Sequence, residues 1–163
     1  MPPYRTFVDG QEDASEDSVR PNGRIIYRFE FIGDVLAVGL AELARYSPHR
    51  SGHYQNSHVL FADGAEVLDP RNPPPAREYV LMNLQPYARK IEGTEHSGGK
   101  RPPQSRQAPD GVYNVVAAIL DRRFGNLARI RFSYRTAIGG SILSGRAGNA
   151  SSDRNPCIVI GLR

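Results

Sequence analysis

Histidines at positions 49, 53 and 58 are the first residues along the chain whose type and spacing could do chemistry. Imidazoles at such separations hold zinc, but a zinc site needs three or four ligands fixed on ordered elements. Ser47-Pro48 and Ser51-Gly52 break up this stretch, so His49 and His53 do not share a helical face. No cysteine or carboxylate stands nearby at a ligand spacing. A Ser-His-Asp triad lacks its setting, because no Gly-x-Ser-x-Gly turn lies between a strand and a helix. Gly98-Gly99-Lys100 resembles the end of a phosphate-binding loop, but Thr94 stands where that pattern needs Gly and Arg101 where it needs Ser or Thr. Cys157 is the single cysteine, so it has no disulfide partner within the chain, and in an apolar strand pattern it reads as a small hydrophobe. These residues specify no catalytic group, no metal and no cofactor, and the chain reads as a non-enzyme. A small hydrolase or metalloenzyme is the weakest reading; it predicts bound metal, or activity lost on changing His53 or His58.

Basic residues carry the next signal. The net charge is +4, with 21 Lys and Arg against 17 Asp and Glu. Between Arg77 and Arg135 there are 11 basic and 5 acidic residues, whereas Asp9, Glu12, Asp13, Glu16 and Asp17 form an acidic opening. Lys100, Arg101 and Arg106, with Arg129 and Arg131 beyond, are candidates for a DNA- or partner-facing surface. No known DNA-binding module surrounds them, which favours a solvated basic face. Opposite charge at two places on a small chain suits head-to-tail contact between copies, although a solvated acidic tail is the commoner arrangement.

These residues must be positioned by one modest domain. A chain of 163 residues builds one core, and its 16 Gly and 13 Pro point to long irregular segments. No apolar run reaches the roughly 20 residues of a membrane span, and no signal core opens the chain. Residues 1–23 read as a flexible acidic arm closed by Pro21-Asn22-Gly23. Ile32, Val35, Leu36, Leu40 and Leu43 mark one face of a helix that stops before Pro48, and Gly39 on that face implies close packing. Ile25 to Phe29 is either the first turns of that helix or a short strand. Strands follow at 58–62 and 79–83, separated by the Asp63-Gly64 turn and a proline-rich loop. Pro86 opens a short helix that sets Tyr87 and Ile91 toward the core. Residues 93–110 and 139–155 read as long loops, 112–124 as a second amphipathic helix, and 127–134 and 157–160 as strands. The expectation is an α+β fold: one domain over residues 24–163, with two main helices on a small, mainly antiparallel sheet.

Two stretches in this framework have a distinctive order. Ser47-Pro48, Ser51-Gly52, Tyr54 and Ser57 follow the first helix, and Pro86-Tyr87-Ala88, Ile91-Glu92 and Gly93 follow the strand pair. This order resembles the tail-completion and head–tail joining proteins of tailed bacteriophages, over roughly Ile32 to Gly93. The resemblance implies a structural virion protein, assembled in the host cytoplasm, that forms a ring of sixfold or twelvefold symmetry at the neck. Its partners would be copies of itself, the adjacent portal and tail proteins, and non-specifically the DNA in the channel, with no membrane. Residues 1–23, 93–110 and 139–155 would then become ordered against neighbouring subunits. The acidic arm before Pro21 and the tail beyond Tyr134 fall outside the resemblance. The alternative is a nucleic-acid-binding accessory protein that uses the basic loops.

Overall fold

A computed structural model of the chain describes residues 4–96, 99–138, 141–143 and 154–162. Three strands open it: β1 (Tyr4–Val8), β2 (Gln11–Glu12) and β3 (Ile25–Phe29), in the order β2-β1-β3. The first long helix, α1, spans Ile32–Tyr46. β4 (His58–Ala62), β5 (Ala65–Val67) and β6 (Glu78–Asn83) come next, then a short helix α2 (Ala88–Glu92) and the hairpin strands β7 (Thr94–His96) and β8 (Gly99–Arg101). The second long helix, α3 (Tyr113–Phe124), precedes β9 (Ala128–Ile138), β10 (Ser141–Leu143) and β11 (Asn155–Leu162). The fold is α+β with antiparallel sheets, as the sequence pattern implies.

The main sheet curls into a closed barrel in the order β10-β5-β4-β6-β11-β9, joined at its seam by the bridge Ser141↔Ala65. Its central strands are apolar on consecutive residues because both faces are covered. Leu60, Leu81, Ile158 and Ile160 pack with α1 and α3 in the larger core. Phe61, Val80, Met82, Cys157 and Val159 make a second cluster on the opposite, inner face. Arg135 donates to both carboxylate oxygens of Glu78 at 3.0 and 3.1 Å, although β11 lies between their strands. Such a contact is possible only because the sheet curves. The β4–β5 turn explains itself: Asp63 (φ 46°) and Gly64 (φ 87°) have the two positive φ values of a tight hairpin. The Asp63 carboxylate also accepts from the amides of Arg77 and Glu78.

Helix α1 ends where Pro48 requires, with Val35, Leu36, Gly39 and Leu43 buried. A Cβ on Gly39 would lie 2.7 Å from Leu81 Cδ1 and 3.2 Å from Leu120 Cδ1, so the glycine lets α1 approach both β6 and α3. Helix α3 buries Tyr113, Val116, Ala117 and Leu120.

Two segments differ from the sequence expectation. The flexible acidic arm at 1–23 holds β1 and β2, and β1 pairs in full register with β3 from Tyr4↔Phe29 to Val8↔Ile25. Acidic composition masked a short strand, Tyr4–Val8, whose partner lies about twenty residues on. The same pairing settles 25–29 as a strand. The expected loop 93–110 contains the β7–β8 hairpin, whose polar pattern carries no apolar alternation. Of the loop expected at 139–155, residues 141–143 form β10 and Asn155 begins β11, while 139–140 and 144–153 lie outside the described residues.

Candidate functional site

The two distinctive stretches meet around the C-terminal end of α1. Ser47 is the residue on which that helix ends, and its hydroxyl donates to the Leu43 carbonyl at 2.5 Å. That leaves Ser47 Oγ to accept from His58 Nε2 at 2.7 Å, so His58 Nδ1 is the acceptor for the Tyr113 hydroxyl, also at 2.7 Å. The chain Tyr113→His58→Ser47→Leu43 C=O satisfies every member with a neutral imidazole. It ties α3, β4 and α1 together. Burial holds the His58 pKa down at about 4, because a charged ring would be desolvated there. Ser47 has its proton committed to a carbonyl and is a receiver from His58, the reverse of an activated nucleophile.

Glu92 has an equally definite role. Its Oε2 accepts from the amides of Val112 and Tyr113, both at 2.9 Å, and its Oε1 from Asn114 at 2.7 Å. These are N–H groups that a helix start leaves without intrahelical partners, so Glu92 caps α3 from twenty residues upstream. Burial raises the Glu92 pKa, and the three amide bonds pull against that rise. Gly111, at φ +81°, keeps the approach clear; a Cβ there would sit 2.6 Å from Glu92 Oε1.

Beside these networks lies an open cleft of about 750 Å³, walled by the turn after α1, by α2 and by residues 104–107. Arg50 and Arg106 give it positive character, and Tyr54 and Tyr87 supply apolar surface, their ring centroids 6.3 Å apart. Among the described residues, no Asp or Glu lines it. The Tyr54 hydroxyl is fully buried and has no hydrogen-bond partner among the described residues. Burial, with Glu92 and Tyr87 nearby, pushes its pKa far up, so it stays a neutral phenol.

Each residue singled out in the sequence has a place here. Pro48 and Ser51 line the cleft, and Gly52 turns the chain at φ +74°. Ser57 Oγ donates to the His53 carbonyl and accepts from Gln85 Nε2 at 2.7 Å, linking the two stretches directly. The Tyr54 carbonyl accepts from Asn83 Nδ2 at 2.8 Å, a second link. Pro86 is exposed and precedes the turn that starts α2. Tyr87 does not face the core: it is 37% exposed at the cleft, and Ala88 is the residue buried in its place. Helix α2 starts at Ala88, with Tyr87 as its N-cap residue, one residue later than its pattern suggests. Arg106 joins Arg50 in the cleft, whereas Arg129 and Arg131 are exposed on β9, beside Gly161 and Val159 of β11. Lys100 and Arg101 lie in β8, where only their backbone is described. The residues that sequence reading missed are Tyr113 and Asn83. Both are polar groups within apolar patterns, and that is the one signal that marks them. Comparison of the chain with protein-family models, curated proteins and solved structures finds no match in any of the three.

Proposed function

We propose that this protein is a structural component of a tailed-bacteriophage particle, forming a homo-oligomeric ring at the neck that completes or joins the head–tail connection. The observation that carries the reading is the union of the two distinctive stretches in space. Gln85 to Ser57, Asn83 to the Tyr54 carbonyl and the Tyr54–Tyr87 contact bind them into one unit at the end of α1. Glu92 then fixes α3 to the same unit. Residues that recur in one order because they jointly build a scaffold are expected to fold against one another, and these do. The side chains that invited chemistry serve in this unit as caps and hydrogen-bond links, which is a structural use.

Removing the protein from the particle that encodes it tests this. The expected phenotype is filled heads and separate tails that fail to join, restored by supplying the chain, with labelled protein located at the neck of complete particles. Normal particles assembled without it contradict the proposal.

A nucleic-acid role is the second reading. It is favoured by the two exposed arginines, Arg129 and Arg131, adjacent on one face of β9. In a ring these would meet DNA passing through the channel by phosphate contact alone, with affinity falling steeply as salt rises.

A further inference from the structure

The positive cleft and the acidic opening lie at opposite ends of one rigid helix. Residues 9–17 carry five carboxylates and no basic side chain. Part of that charge is already engaged: Asp9 accepts from the amides of Arg20 and Arg24, and Glu12 pairs with Arg5 at 2.6 Å. Asp13 and Asp17 are exposed and form no ion pair among the described residues. Asp13 directly follows β2 and Asp17 lies in a short 3-10 turn, Glu16–Ser18, while β1 and β2 adjoin the start of α1, because Arg5, Glu12, Glu30 and Ile32 wall one common groove. The cleft holding Arg50 and Arg106 lies past the other end of α1, where Pro48 leaves the helix. Fifteen helical residues separate the two by about 22 Å along the axis. Gly39, pressed against Leu81 and Leu120, holds that helix firmly in the core. The acidic turn therefore cannot fold back into its own cleft.

We propose that the cleft receives the acidic turn of a second copy of this chain, with Asp13 and Asp17 of one protomer facing Arg50 and Arg106 of the next. The cleft has the character such a contact needs: among the described residues, two arginines without an ion pair and no carboxylate in the lining, with the apolar wall of Tyr54 and Tyr87 to exclude water. A contact that uses different surfaces on its two sides is heterologous, and repetition closes it into a ring or extends it as a filament. This inference rests on the ring reading and supplies its interface.

The test is a charge exchange between two full-length variants, both altered only at exposed positions. One carries Asp13→Arg and Asp17→Arg; the other carries Arg50→Glu and Arg106→Glu. Sedimentation velocity is run at about 0.1 M salt, where the screening length is about 10 Å. Wild-type protein should sediment as an assembly that dissociates in high salt. Each variant alone should sediment as a folded monomer by circular dichroism, since like charges then face each other. An equimolar mixture should recover the assembly, because each variant's turn now matches the other's cleft. A mixture that stays monomeric overturns the proposal. Assembly of either variant alone also overturns it, and leaves the ring reading standing. A monomeric wild type removes both. If the Arg50→Glu, Arg106→Glu variant assembles normally but loses binding to a duplex oligonucleotide, the cleft serves nucleic acid and the proposal fails.

Discussion

His58 shows how a residue that invites a catalytic or metal reading can be wholly occupied by structure. Its two ring nitrogens are used by Ser47 and Tyr113, and burial keeps the ring neutral down to about pH 4. In the unfolded chain the same ring titrates near its ordinary value of 6.5. Between these values the unfolded state binds a proton that the folded state refuses, so stability rises with pH across the window and falls as pH drops from 6.5 toward 4. The full loss is about 3 kcal/mol. Denaturant titrations of wild type and His58→Gln at pH 7 and pH 4.5 measure it. The variant should be less stable at pH 7 and should lose much less stability between the two pH values. Equal losses would show that His58 is not the titrating group. None of this is legible from spacing: Ser47 lies eleven residues before His58, and Tyr113 lies fifty-five after it. The sequence presented three histidines together; the fold places His58 in this network, whereas the His49 ring pairs with Gln55 at 3.2 Å on the exposed side.

Among the elements, α3 depends on a residue outside itself. Its own first residues, Val112 and Tyr113, offer no side-chain cap, and Glu92 supplies the acceptors in their place. Replacing Glu92 by Ala leaves three amides without their acceptor, two of them buried, and should cost about 3 kcal/mol or more. Glu92→Gln keeps one acceptor oxygen and removes a buried charge, so it should cost about 1 kcal/mol. Equilibrium unfolding of the two variants checks the ordering, and hydrogen exchange at the first turn of α3 should rise in the alanine variant alone. Equal destabilisation would contradict this ordering, because it would mean that a single oxygen on a side chain of the same size does not cap α3 at all. The helices and central strands were readable because their apolar periodicities survive burial: α1 stops at Pro48, and β6 and β11 are apolar on both faces. The first three strands were not, because β1 pairs across a long acidic excursion and β2 has two residues. Curling of the sheet into a barrel was equally hidden. Among the described residues it closes through one bridge at the seam, between Ser141 and Ala65, far apart in the chain. For the site, the sequence order pointed to two stretches that the fold brings together, but Tyr87 was assigned inward when Ala88 takes that position.

At the scale of the whole molecule, the chain is a barrel with two long helices on one face and charge of opposite sign beyond the two ends of α1. Exposed apolar groups such as Ile26 and Tyr27 on β3 and Tyr87 at the cleft lie near those charged regions. A charged rim around modest apolar contacts fits a subunit that assembles after folding. In the proposed role such a subunit would contribute contacts and shape to a particle, and the interlocked side chains around α1 would keep that shape fixed. The most direct measurement of this account is electron microscopy of the purified full-length protein. The account predicts closed rings of a single symmetry with a central opening. A uniform field of monomers at every protein concentration and salt condition would contradict it.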